Sequence, residues 1–528
     1  MATLHPRTIA ALNRVHNAKW YRKGRTLSLF TAKSLLEIEP SLTPLAHLEA
    51  TPYFLPLLGR VILNRLRPAS VCSKQLQNLT ESDGRGIGAS LALCLATHVH
   101  AKAGVDAWIL RYPALKELDA QEPSFRPAIT MIAQHLLDTV GWGTKLRLYV
   151  GATLSMVDMS SDLYVAITFL AVPGLRTYGL VLLVMLGLNL FLQVIVTCVN
   201  YWKKGAKKLL QEVLVCVSGI KPGVDAMRVA QGSERDPKVI LDPVVELSFT
   251  KAVEMFTEAI PGCVLQCYAI LEIMNGGGTP SRATIFSVFV SALTTGFLSA
   301  SIVYDMDTSP QFRKEQPVWF GMFADSSMRR GASFFSLMVI GTLMLIARSL
   351  AYALLLTTRL KFAVYFFFGE MAFYFLQKAL RNDLWYWVPV DGALGVFMSG
   401  AIHFALKVIV DFTGCVQFRF PCDLGGVYFS FSMAVAMASP FVGIKVYFHS
   451  PPTDTTLDEA TAMALAGAAA ATLATAFVTF LFCIKREYVH TFFTSMTGHA
   501  FVKDFFLKGA TDEEKQRTFT MNKHCWRE

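Results

Sequence analysis

Charge and recognisable chemistry are both scarce in this sequence. Charged residues fill 17% of its 528 positions against 53% hydrophobic ones, and mean hydropathy is +0.42, whereas a water-soluble globular chain carries about a quarter charged residues. A soluble fold is therefore excluded as the main architecture. The sequence has no P-loop, no zincin helix and no hydrolase nucleophile elbow. An enzyme reading has no residues to rest on, and neither a cofactor nor a metal is expected. Ten cysteines in so long a chain make no disulfide framework, and Cys198, Cys216, Cys263, Cys267 and Cys483 fall in apolar stretches or at their ends, as small core residues do. Cys415 and Cys422 are the one pair to test for a bridge. Residues 1–140 contain no apolar run of membrane-crossing length, and no acidic residue precedes Glu37.

What is present is hydrophobicity gathered into runs close to the roughly 20 residues that a helix needs to cross a bilayer. Seven such runs lie at about 148–171, 178–202, 283–304, 332–357, 362–380, 426–448 and 461–484. Two more, 243–274 and 386–411, are apolar but hold Pro, Gly and ionisable residues, so each reads as a span, a broken helix or a re-entrant segment. The fold class is an all-α polytopic membrane protein, with about eight crossings, one or two re-entrant or broken segments and a small helical region before them. Three regions follow: 1–145 cytosolic and mostly helical, 146–485 the transmembrane bundle, and 486–528 a cytosolic tail.

Basic residues in short loops set the orientation. Lys145 and Arg147, then Lys203, Lys204, Lys207 and Lys208, then Arg313, Lys314, Arg329 and Arg330 all mark cytosolic sides. With eight crossings and one re-entrant segment, Lys485 and Arg486 fall on that side too. The net charge of +10 sits beside spans rather than in an aromatic-interleaved patch, so anionic lipid headgroups are expected as partners and nucleic acid is not. Arg7, Arg14, Lys19, Arg22, Lys23 and Arg25 open the chain. That pattern fits either an organellar transit peptide or a basic segment on a membrane surface. The plasma membrane and an internal membrane are both open.

In the region before the spans, Glu81-Ser82-Asp83-Gly84 and Pro123 read as turns, and Gly84-Arg85-Gly86-Ile87-Gly88 reads as a flexible loop rather than a nucleotide site. His98 and His100 read as an incidental helix surface rather than metal ligands. Asn78-Leu79-Thr80 is a glycosylation sequon on the side where it is not used.

Ionisable residues inside the apolar runs carry the functional signal, because each costs about 2.5–3.5 kcal/mol at the centre of a bilayer even on mild insertion scales. Asp158 and Asp162 stand one helical turn apart, and so do Glu254 and Glu258, beside Glu246 and Lys251. Arg348 lies far from either end of its run. A second polar stripe consists of Glu370 with His403, Lys407 and Asp411, the last three at four-residue spacing. Two readings compete: a polar track through an apolar bundle, and carboxylates that pair with Arg348, Lys251 or Lys407 to fix helix packing. Pro261-Gly262 is the expected helix break.

Four blocks then resemble the XK-related membrane proteins, a family that includes phospholipid scramblases. They are Ser161-Asp162-Leu163 after Asp158; Glu254 to Tyr268, with paired glutamates, Pro261 and a Leu265-Gln266-Cys267-Tyr268 ending; Ser291-Ala292-Leu293 on to Ser299 and Tyr304-Asp305; and Ala347-Arg348-Ser349-Leu350 on to Leu354. They keep the family's order over about 148–357 and depart from it at Gly262, where a glutamine usually follows the proline. The tail holds no Asp-x-x-Asp caspase site, so proteolytic activation is not implied. The resemblance implies a bundle of two similar halves with partly penetrating helices and energy-independent movement of phospholipids between leaflets, and the intramembrane charges Asp158, Asp162, Glu254, Glu258 and Arg348 are the expected track for the headgroup. Two alternatives stand beside it: a cation channel or secondary transporter using the same acids, and a non-transporting anchor that recruits a cytosolic partner, such as a lipid-transfer protein, through the N-terminal region or the 203–242 loop.

Overall fold

The computed structural model describes residues 51–62, 72–95, 101–123, 125–140, 142–230, 243–308, 320–324, 326–381, 384, 392–415, 427–449 and 458–492, with no strand among them. The basic opening segment, His98, His100 and Cys422 lie outside the described residues. Cys415 is a buried free thiol.

The chain divides into two compact units, 1–149 with 228–233 and 307–330, and 150–227 with 234–306 and 331–528. Among its described residues the first holds five α-helices: α1 (Phe54–Ile62), α2 (Glu81–Leu95), α3 (Ala101–Arg111), α4 (Pro113–Gln121) and α5 (Phe125–Val140). Its core gathers Phe54, Leu57, Leu91, Trp108, Leu115, Phe125 and Ile129, all buried. Trp108 donates its indole N–H to the Ile87 carbonyl at 2.8 Å and lies against Phe125, ring centres 6.3 Å apart. Pro123 does mark a turn, between α4 and α5. The segment at 81–88 corrects the sequence reading, because it is helix rather than turn and loop. Thr80 and Asp83 close a capping box, with the Thr80 N–H reaching Asp83 Oδ2 at 2.9 Å and the Thr80 hydroxyl reaching it at 2.6 Å. Gly84 and Gly88 serve close packing: a Cβ there would come within 2.3 Å of the Tyr53 carbonyl oxygen and 2.1 Å of that of Leu57 on α1. Tertiary contact thus overrides the loop propensity of glycine.

The second unit is a helical bundle. Its elements are α6 (Trp142–Ala171, rooted in the first unit), α7 (Arg176–Tyr201), α8 (Ala206–Val217), α9 (Lys221–Ala230), α10 (Pro243–Glu254), a π turn (Met255–Ala259), α11 (Ile260–Asn275), α12 (Arg282–Thr308), α13 (Ser327–Thr358), α14 (Leu360–Leu380), α15 (Gly392–Thr413), α16 (Val427–His449), α17 (Glu459–Cys483) and α18 (Arg486–Phe492). Among the described residues eight stretches are long and apolar enough to cross a membrane: 146–171, 173–204, 246–275, 282–308, 328–358, 393–413, 431–449 and 459–483. The chain is therefore a multi-pass, all-α membrane protein.

Both doubtful segments are among the eight, and 362–380 is not. It forms α14, but Lys361, Glu370 and Lys378 within 21 residues lower its hydropathy. Nor does the helix break at Pro261-Gly262. It runs on through them and widens one turn earlier, where the Ile260 N–H reaches back to the Met255 carbonyl. Proline lacks an N–H, and its ring would crowd the carbonyl four residues back in an ordinary α-helix; the wider turn accommodates both.

The lipid-facing logic is plainest on α7. Leu180, Val184, Leu188, Phe191, Ile195 and Val199 are exposed, while Asn189, Gln193, Thr197 and Asn200 are buried. Apolar side chains face outward and polar ones inward, the reverse of a soluble helix and the arrangement a hydrocarbon solvent demands.

Candidate functional site

The π turn sits at the centre of the site, packed against α7 and α15. It carries Glu258, and Glu254 precedes it. Asp158 and Asp162 come from α6, and all four carboxyls are buried. Ser291 on α12 donates to Asp158 at 2.5 Å, and Ser287, one turn earlier, donates to Asp162 at 2.6 Å. Asp162 also accepts the Gln266 amide N–H from α11 at 2.9 Å. Asn189 of α7 donates to Glu258 and accepts from Gln193 at 2.9 Å. Glu254 interacts electrostatically with Lys251.

Neutral hydroxyls and amides thus hold most of this cluster, and Lys251 acts on it through Glu254. Two ionised groups about 4 Å apart interact by roughly 4 kcal/mol at an effective dielectric constant near 20. Four carboxyls in an apolar interior therefore cannot all stay ionised without a counter-charge, so the centre takes up protons or a cation. Among the described residues no group of three or more His, Cys, Asp or Glu converges as metal ligands would. On the outer side of α6, Thr153, Met156, Val157, Ser160 and Ser161 line an open, mostly apolar hollow of about 490 Å³. Ser161 connects the hollow to the cluster, since it donates to the Asp158 carbonyl at 2.9 Å and lies 3.4 Å from the Ser287 hydroxyl.

Arg348 has other partners. It donates to Glu370 at 2.5 Å, with the Tyr352 hydroxyl 3.2 Å from the same oxygen, and its guanidinium lies over the Phe412 ring at 5.1 Å. Lys407 pairs with Asp411, which also accepts from Ser432 at 2.7 Å. The Tyr374 hydroxyl is 3.4 Å from His403 Nδ1. The residues expected as one track plus a secondary stripe therefore sort differently. Asp158, Asp162, Glu254 and Glu258 form an acid cluster, while Arg348 joins Glu370, Lys407 and Asp411 in a charge-balanced centre. Within a helix, four-residue spacing fixes a shared face, but it does not say which face lies across from it.

A third buried network joins α7, α9 and α10. Lys221 reaches Asp225 and Glu246, each at 2.8 Å, and Asn200 donates to Glu246 at 2.8 Å. Outside the membrane-crossing stretches, the Lys221 ammonium is held above its usual range by these two acids, against the opposing effect of burial.

Sequence reasoning did not single out Asn189, Gln193, Ser287 or Lys221. The signal for the first two was available: Asn189, Gln193, Thr197 and Asn200 recur at helical spacing in a run that is otherwise apolar. No protein-family model, curated protein or solved structure matches the chain.

Proposed function

We propose that the chain moves phospholipids between the two leaflets without an energy source, with the acid cluster as the station that receives the headgroup. The observation that carries this reading is the pairing of a buried, acid-rich centre on α6 and the π turn with the open hollow at Thr153–Ser161. A headgroup that leaves water for hydrocarbon loses several kcal/mol for each polar group left unpaired. Carboxyls at successive depths replace that hydration for an ammonium or choline group. The acyl chains stay in the bilayer beside the exposed apolar face of α6, so the protein has to solvate only the headgroup. The resemblance of 148–357 to the XK-related proteins supports the same reading.

The excess of carboxyls over bases favours one further reading, a pathway for a small cation. Both are tested in liposomes that contain only the purified protein. In the lipid reading, dithionite quenches a fluorescent phospholipid beyond the outer-leaflet half, and Glu254→Gln with Glu258→Gln slows the excess quenching while the protein stays folded. Quenching that stops at half, together with a cation flux that the same double substitution abolishes, would replace lipid movement with the cation pathway.

A further inference from the structure

One surface element faces two ways. Helix α8 follows the membrane-crossing α7 directly, through Trp202 to Lys204. Its outward side presents Leu210, Leu214 and Val217, recurring at helical spacing and more than half exposed, and Trp202 beside it is 75% exposed. Lys203 and Lys207 are exposed as well, and Lys208 forms an ion pair with Glu212 at 2.8 Å. The contact of Cys216 with Gln193, ten residues back from Lys203, shows that α8 folds back beside α7, so the lysines stay at the end of the span at headgroup level while the apolar stripe faces the acyl chains. A phosphatidylcholine surface would use only the stripe; the lysines add charge complementarity to an anionic one.

The inward side of α8 leads to the acid cluster. Cys216 is fully buried, and its thiol contacts Gln193 Oε1 at 3.9 Å. The Gln193 amide continues to Asn189, and Asn189 to Glu258. The corner after α8 is Gly219, with φ of 73°, where a Cβ would lie 2.3 Å from Met159 Cε. Met159 is the neighbour of Asp158. The seat of Gly219 on α6 holds the corner in place, and a displacement of α8 reaches the cluster through the hydrogen-bonded chain of amides.

We propose that α8 is an anionic-phospholipid binding surface that regulates the acid cluster, taking up the leaflet through its apolar stripe and Lys203, Lys204 and Lys207, and passing that contact to Glu258 through Gln193 and Asn189. The regulatory half rests on the function proposed above; the binding half does not.

The test is hydrogen–deuterium exchange on the full chain in nanodiscs of phosphatidylcholine alone and of an equal mixture with phosphatidylserine, with lipid exchange measured in liposomes of the same two compositions. Near an anionic surface each lysine is worth about fivefold in binding, so amides over 206–217 should exchange at least about tenfold more slowly in the mixture. High salt on the unaltered protein should remove that difference, and so should Lys203→Gln/Lys204→Gln/Lys207→Gln. Amides of Met255–Ala259 should respond to the mixture in the unaltered chain and not in Gln193→Leu, which keeps the protection of α8. Equal protection in both nanodiscs, or no protection in either, would overturn the binding surface. A π turn that responds in Gln193→Leu as in the unaltered chain would overturn the coupling. Absence of lipid exchange in both compositions, with the amide differences intact, would instead remove the transport reading and leave the binding surface standing.

Discussion

At the scale of single residues, the two charged centres of the bundle call for different experiments. Arg348 and Glu370 are buried partners, so removing either leaves an uncompensated charge in an apolar interior, a loss of about 3–5 kcal/mol. Arg348→Gln and Glu370→Gln should each lower the melting temperature in detergent, and the double substitution should cost well under the sum of the two, because one interaction is lost twice. Additive losses would show that the pair is not coupled. Asp83 offers a pH test outside the bundle. Its carboxyl is pulled down to about 2 by hydrogen bonds from Lys74 and Thr80. Because the folded value lies below the unfolded one of about 3.9, this stabilisation is complete above that pH and disappears as pH falls towards 2. Asp83→Ala should therefore weaken amide protection of α2 near neutral pH by about 1 kcal/mol, most of it the cap rather than the solvent-screened ion pair. Protection in the two proteins should converge below about pH 2, and a gap that persists there would contradict the assignment. What the sequence made legible at this scale was the identity of the charged residues, through their rarity in apolar runs. The partnership of Arg348 with Glu370 was not legible, since it depends on how α13 meets α14. The amides of Asn189 and Gln193 were visible but carry no charge to draw notice.

At the scale of elements, the length of the apolar runs located the membrane-crossing helices well, and composition misjudged the glycines. Gly84 and Gly88 look like loop residues until α1 is packed against them. Alanine at both should push α1 from α2 and destabilise the first unit by about 1–3 kcal/mol, as overpacking does. Hydrogen exchange of both helices in the full chain measures it, and unchanged protection would mean that the two backbones are free to separate. The π turn is the second feature that composition hid. Proline announced irregularity at 261, but the distortion lies over Met255–Ala259, because the crowded carbonyl precedes the ring by a turn. Pro261→Ala removes the need for the wider turn and lets an ordinary α-helix form, which changes the register of Glu258 relative to Asn189 and Gln266. The expected outcome is slower lipid exchange with an equal or higher melting temperature, since the helix gains a hydrogen bond while the cluster loses its arrangement. Exchange at the original rate would mean that the turn is incidental to the site.

At the scale of the whole molecule, the number of crossings decides which side each loop faces, and α14 is the element on which the count turns. The eight stretches of sufficient hydropathy leave it out, yet its 21 residues are long enough to cross and expose Tyr365, Phe368, Phe373 and Leu376. If α14 enters and leaves on one side, the eight crossings bring Lys485 and Arg486 back to the side of Lys203 and Lys204, which satisfies the positive-inside bias. If α14 crosses, the tail lands opposite and the basic pair at its start faces the wrong way. The buried partnership of Glu370 with Arg348 supports the first arrangement, because a helix held by charge inside the bundle need not span the hydrocarbon to be stable there. The expectation is that a sequon placed in the tail after Phe492 stays unmodified in cells, that one placed in the 450–458 connection is glycosylated, and that the natural sequon at Asn78 stays bare. Glycosylation of the tail with a bare 450–458 connection would put α14 across the membrane as a ninth span and reverse the orientation of α15, α16 and α17.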